Sequence, residues 1–203
     1  MKVALIGITG HVGSRVASEL LRRSHEVLGL ARHPAHVVSQ PNLTLAQSDA
    51  TLPSQLSQLL VGNDAVVSAS RFRTSDPTAL LEAMKLSRVP RLLVVGGAAS
   101  LRLPSGQRLI DTPDFPEAYK DEARAGVNFL AALQKDDQVD WTFLSPSAEF
   151  IPGERTTHFR LGTDELLVDA NGRSWVSMED FAIALVDELE HPAHVRRRFT
   201  VGY

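Results

Sequence analysis

The sequence predicts an α/β fold: a doubly wound parallel sheet with helices on both faces. Three observations carry this expectation. Short, nearly continuous apolar runs recur along the chain, as they do for strands buried on both faces. Segments of helical spacing separate these runs, so successive strands are joined by crossovers rather than hairpins. Glycines cluster between the first run and the first helical segment, where such folds make a tight turn.

The elements follow in order. Val3-Ala4-Leu5-Ile6 reads as a buried strand and runs straight into glycines. From Val12 the apolar positions take helical spacing, with Val16, Ala17, Leu20 and Leu21 on the same face. Val27-Leu28-Gly29-Leu30, Leu43-Thr44-Leu45 and Ala65-Val66-Val67 are the next strands. Asp76-Pro77 opens a helix carrying Leu80, Ala83 and Met84, and Leu92-Leu93-Val94-Val95 is the strongest buried run. A long helix is expected over Glu117 to Gln134, with Tyr119, Ala123, Gly126, Val127, Leu130 and Leu133 inward. Trp141-Thr142-Phe143-Leu144 is the sixth strand. Pro152, Gly153, Gly162 and Asn171-Gly172 then break the rhythm, which points to a small hairpin or lobe around 150–176. Ser177, with an acid at Asp180, caps a helix through Leu189, and Phe199-Thr200-Val201 ends the strand series.

Composition bounds the rest. A chain of 203 residues is about one domain's worth at ~150 residues each, so residues 1–203 are expected to share one core. With 43% hydrophobic residues it is too apolar for a disordered chain. A net charge of -3, from 21 Lys+Arg and 24 Asp+Glu, offers no basic face for nucleic acid. The absence of cysteine excludes disulfides, thiolate metal sites and a Cys nucleophile. No apolar run reaches the roughly 20 residues that span a bilayer, and the N-terminus lacks a secretory pattern. A soluble cytoplasmic protein, monomer or homodimer, is expected.

Gly7-Ile8-Thr9-Gly10-His11-Val12-Gly13 has the spacing G-x-x-G-x-x-G between strand and helix. The first glycine permits the turn, the second lets main-chain amides approach a pyrophosphate, and the third lets helix and strand pack closely. The helix N-terminus then offers free N–H groups and partial positive charge to the phosphates. Gly7, Thr9, Gly10, His11 and Val12 are the expected cradle of a dinucleotide. At the second strand's end, where an acid would favour NAD, the chain reads Leu30-Ala31-Arg32-His33. Arg32 can grip a 2′-phosphate with two parallel bonds, which favours NADP(H) over NAD(H), and His33 can add a donor. Asp49 and Ala50 are placed to meet adenine. Ala69 and Ser70 are small enough for the dinucleotide to pass over the fourth strand. Gly96, Gly97, Ser145 and Pro146 are expected to border ribose and nicotinamide.

These residues resemble the atypical short-chain dehydrogenase/reductase group, and more closely its NmrA-like NAD(P)H-binding family. That family includes provisionally named NADH-flavin reductases, relatives of the biliverdin-IXβ/flavin reductase. The likeness rests on Val3 to Gly13, Leu92 to Leu101, Asp111-Thr112-Pro113-Asp114-Phe115-Pro116, Trp141 to Pro146 and Arg198 to Tyr203, essentially the whole length. It implies a Rossmann fold and an NAD(P)H-dependent reductase, with Ser100 in the region of the family's catalytic serine. The departures are informative. Carbonyl-reducing members carry Tyr-x-x-x-Lys, whereas Tyr119 is followed four residues on by Ala123. Lys120, one residue away, points about 100° aside on a helix and is no substitute. The histidine that biliverdin-reducing relatives place after the sixth strand is absent from Ser145-Pro146-Ser147-Ala148.

Reduction of a flavin or quinone asks less of the protein. Catalysis is then positioning in a dry pocket, with the proton from water. Such an acceptor is the expected partner, with Ser100 and Tyr119 as candidate catalytic residues and Phe159 and Trp175 as a candidate lid. A non-catalytic NADP sensor of the NmrA type is the alternative. Arg71 and Arg73 are candidates for phosphate contacts. Arg196-Arg197-Arg198 reads as a solvated edge. The paired motifs His33-Pro34-Ala35-His36 and His191-Pro192-Ala193-His194 carry Pro after each first His, so neither forms a helical metal pair.

Overall fold

The computed structural model describes all residues 1–203. Eight strands form one sheet in the order β3-β2-β1-β4-β5-β6-β10-β8. These are β1 (Lys2–Ile6), β2 (Glu26–Ala31), β3 (Leu43–Gln47), β4 (Ala65–Ser68), β5 (Arg91–Val95), β6 (Asp140–Pro146), β8 (Arg160–Gly162) and β10 (Arg197–Gly202). All neighbours are parallel except β8, which runs antiparallel to β10. The sheet is therefore mostly parallel, as expected, with an antiparallel edge strand that the broken rhythm of that segment hides.

Alternation along the strands feeds two cores. Val3 and Leu5 point to one face, packed by α1 (His11–Arg22) and α5 (Met178–Glu190). Ala4 and Ile6 point to the other, covered by α2 (Pro53–Leu60), α3 (Pro77–Ser87) and α4 (Lys120–Leu133). This two-sided burial is why the runs read as continuously apolar. Asp76 caps α3 through Thr78 N–H at 2.8 Å, and the Ser177 hydroxyl caps α5 by accepting from Asp180 N–H at 3.0 Å. No helix is long and apolar enough to cross a membrane.

One expectation is corrected and one alternative is excluded. The helix expected from Glu117 starts only at Lys120. Residues 117–119 form a separate 3-10 turn, and Tyr119 is 67% exposed rather than inward. Pro116 leaves this turn to begin with an extended residue, and the 3-10 and α-helical turns meet at Lys120. The segment 150–176 forms no hairpin. Its flanks β7 (Glu149–Ile151) and β9 (Trp175–Ser177) pair in parallel, and β8 between them joins the main sheet. A strap over residues 153–157 lies on α1 and α5. Arg155 reaches Glu19 with two bonds of 2.9 Å, and Thr156 Oγ1 and Thr157 N–H donate to the buried Asp180.

Candidate active site

Strand order reverses between β1 and β4, and a crevice opens at the carboxyl ends of the strands on either side of such a switch. Here it is a cleft of about 770 Å³ lined from the ends of β1, β4, β5 and β6. The glycine turn forms one wall. Gly7 has φ +87°, and a Cβ there would lie 2.7 Å from the Ala69 carbonyl oxygen. A Cβ on Gly13 would come within 2.1 Å of the Gly7 oxygen. The two glycines thus let β1, β4 and α1 converge on one point. No side chain caps α1, so its first-turn amides face the cleft without a side-chain partner. An open glycine cradle at the start of a twelve-residue helix fits a dinucleotide pyrophosphate.

The expected cofactor residues fall into three groups. Gly10, His11, Val12, Ala69 and Ser70 line the cleft, as do Gly96, Gly97 and Pro146. Arg32 and His33 lie just past β2, both exposed, with Asp49 and Ala50 just past β3; none of the four lines the cleft, nor does Thr9 in the glycine turn. Arg32 has no ion-pair partner. Asp49 Oδ1 accepts from the Thr51 N–H at 3.0 Å and hydroxyl at 2.7 Å, which hold its carboxyl below the usual range. Its Oδ1 is thus occupied by its own turn. Ser145 is the exception. It is fully buried in β6 with an unpartnered hydroxyl, one residue below the cleft floor, because strand alternation turns it away from Pro146.

The opposite wall is apolar and comes from segments distant in sequence: Phe72, Leu109, Phe115, Tyr119, Phe150 and Met178. Phe72 packs on Phe129 and Phe143 with ring centroids 5.3 and 6.0 Å apart. It fits only because Gly126 of α4 carries no side chain, since a Cβ there would meet the ring at 2.9 Å. Glu122 fixes this wall. Its carboxylate accepts from the N–H groups of Phe72 at 2.6 Å and Arg73 at 3.2 Å, anchoring the loop after β4 to α4. Neither Phe72 nor Glu122 was singled out from the sequence. A glycine inside an otherwise regular helix was the available signal for the first.

Of the two readings open for Phe159 and Trp175, a lid or a packed role, the structure has the second. Phe159 packs against the core, and Trp175 lies 4.4 Å from the Tyr203 ring beneath the Arg173 guanidinium; neither lines the cleft. Phe150, its ring tilted 48° against that of Phe181 at 4.7 Å, lines the cleft instead. Ser100 and Tyr119 both line the cleft. Lys120 is paired with Glu117 at 2.5 Å, and Ala123 stands in the cleft four residues beyond Tyr119. The site therefore holds a tyrosine without a lysine four residues on. Arg71 lines the cleft without an ion-pair partner, whereas Arg73 lies outside it. Arg198 is no solvated edge residue: its side chain is 8% exposed and bonds to Ser100. His194 stacks on Phe199 at 4.1 Å and pairs with Glu188 at 2.8 Å.

Residues 7–192 match the NAD(P)H-binding family. A Bacillus subtilis protein, YwnB, described as uncharacterized, is 38% identical over 99% of this chain and 98% of its own. Three solved structures are similar over 100% of this chain. One from Burkholderia pseudomallei, provisionally described as exported, has 39% identity and a TM-score of 0.90 over 100% of its length. One from Bacteroides thetaiotaomicron, provisionally an epimerase, has 38% identity and 0.95 over 96%. One from Streptococcus pneumoniae, provisionally an NADH-flavin reductase, has 33% identity and 0.84 over 99%. The glycine cradle at the sheet's switch point, the Rossmann-like order of strands and these likenesses converge: the chain belongs to the NAD(P)H-binding family.

Proposed function

We propose that this protein is an NADPH-dependent reductase whose electron acceptor is a planar conjugated carbonyl compound, a flavin or a quinone. One observation carries the reading. The cleft joins an uncapped, glycine-lined helix start to a wall of Phe72, Phe115, Tyr119 and Phe150. The first half suits a dinucleotide, the second a flat aromatic ring laid beside it. When bound, the reduced nicotinamide supplies a hydride. The protein holds donor and acceptor at about 3–3.5 Å and excludes water from between them.

Gly7, Thr9, Gly10, His11 and Val12 hold the pyrophosphate in this reading, and Arg32, unpaired and exposed beyond β2, takes the 2′-phosphate. Gly96, Gly97 and Pro146 form the floor beneath the reacting ring. Epimerisation through a transient ketone needs an acid–base pair, and Tyr119 with Ala123 does not supply one. That same absence favours the second reading, a sensor that binds NADP without turnover. Steady-state NADPH oxidation with FMN and with menadione separates the two. Turnover with either acceptor is expected. Tight NADPH binding with no turnover across a broad acceptor panel would overturn the reductase in favour of the sensor.

A further inference from the structure

Two glycines clear the space for two phenylalanine rings at the wall of the cleft. A Cβ on Gly96 would meet the Phe143 ring at 2.4 Å, and one on Gly126 would meet the Phe72 ring at 2.9 Å. A Cβ on Gly97 would lie 3.7 Å from Cε2 of Phe72, an ordinary contact, so that ring edge sits between the end of β5 and α4. Phe129 and Phe143, on which the ring packs, are both buried. The backbone of Phe72 is tied as well. Its N–H donates to the Glu122 carboxylate at 2.6 Å, a charge-assisted bond, and its carbonyl accepts from the Ser75 N–H at 3.1 Å. The hydroxyls of Thr74 and Ser75 donate to the Arg71 carbonyl at 3.2 and 2.8 Å, which closes the turn on itself. Phe72 is half-buried, and its free side is the cleft. With close-packed rings behind it and a tied backbone beside it, the ring cannot retreat.

We infer that Phe72 is the specificity-determining residue of the cleft: its ring is a fixed stop that sets how wide a fused-ring acceptor the cleft admits, and the missing side chain at Gly126 sets where that stop stands. This rests on the reductase reading and adds to it a limit on the size of the acceptor. Gly97 belongs to the floor beneath the reacting ring in that reading, so a stop in contact with Gly97 bounds what can lie beside the nicotinamide. One carbon is enough to move it. A methyl group at position 126 finds no room in α4, Phe129 or Phe143, so the Phe72 ring must shift toward the cleft. Shortening Phe72 does the reverse. It opens space down to Phe129 and Phe143, and a small acceptor loses the contact that holds it against the nicotinamide.

The test compares lumiflavin, which has three fused rings, with menadione, which has two. Neither carries a phosphate or a charge, so ion pairing with Arg32 or Arg71 does not enter the comparison. The readout is the ratio of their kcat/KM values with NADPH. Gly126→Ala is expected to lower the lumiflavin-to-menadione ratio about tenfold, the low end of what one carbon decides in an apolar pocket. Phe72→Ala should raise that ratio by about the same factor. Phe72→Leu keeps an apolar side chain in the wall and reads the same direction should the alanine variant fold poorly. Dissociation constants of the two compounds beside NADP+, from fluorescence quenching, should move in the same senses, a readout independent of turnover. A ratio that stays unmoved, or that moves the same way in the variants at 126 and 72, would show that Phe72 only packs α4 against the sheet and would overturn the inference. A wild-type protein that reduces neither compound overturns the reductase reading instead, and the ratio of dissociation constants then decides the role of Phe72 by itself.

Discussion

In the proposed reading, Arg32 and Gly10 divide cofactor recognition into charge and shape. The guanidinium beyond β2 makes no ion pair, although its charge reaches the Asp49 carboxylate, so in the proposed reading its contribution is felt chiefly by the phosphorylated nucleotide. Charge-assisted bonds contribute about 1.5–3 kcal/mol each, so Arg32→Ala should weaken NADPH by about tenfold to a hundredfold. NADH should change little. Fluorescence titration with both nucleotides measures this, and equal losses would show that the 2′-phosphate lies elsewhere. Gly10 acts through space. Its φ of -75° suits any residue, so Gly10→Val should leave a folded protein. The added side chain would nevertheless fill the surface presented to the pyrophosphate, with its Cβ 3.3 Å from the Gly7 oxygen. Loss of nucleotide binding at an unchanged circular dichroism spectrum is the expected outcome.

The strap over α1 and α5 is held by ions rather than by apolar contact. Glu19, 4% exposed on α1, meets Arg155 of the strap and Arg23 of its own helix. The Arg155 guanidinium, helped by Arg23, holds the Glu19 carboxyl below the usual range despite its burial. A carboxyl depressed in the folded state contributes stability above its unfolded pKa of about 4.3, and loses it as pH falls through the lower folded value. Glu19→Gln should therefore cost about 2–3 kcal/mol at neutral pH, since two guanidinia lose a buried partner. Denaturant titrations should show that gap constant from about pH 7 to 5 and shrinking below about pH 4.5. A gap independent of pH would mean that packing, not charge, holds the strap. In α4, Gly126 and Glu122 set the position of Phe72 and with it the aromatic wall, so this helix shapes the cleft more than its apolar periodicity suggests.

Dinucleotide binding should tie the molecule together, because the cleft draws on the ends of four strands and the start of α1. A ligand bound only by the folded state at a hundred times its dissociation constant adds about 2.7 kcal/mol. For a chain of this size that corresponds to a rise of roughly 5–10 °C in Tm, readable by differential scanning calorimetry. No rise with either pyridine nucleotide would remove the basis for both functional readings. The same architecture explains what was legible in advance. Strands buried on both faces and a glycine turn leave local patterns, so the parallel sheet, the cradle and the cap at Ser177 could be read directly. The segment from Leu101 to Tyr119 left none. It is chained 3-10 turns and loops, whose placement depends on what they pack against.

Backbone requirements are local, and local order is enough to state them. Gly7 needs a positive φ and Gly13 a missing side chain whatever the remote chain does, so the glycine turn was written into seven consecutive residues. The aromatic wall has no such address. Phe72, Phe115, Tyr119 and Phe150 converge only after α4 has docked, and Arg198 meets Ser100 across 98 positions because β10 pairs with β6 and places it there. An arginine triplet before a strand is indistinguishable from a solvated edge until the sheet closes. Long-range packing decides which of its members turns inward, and that packing is set by the balance of all the burial around it.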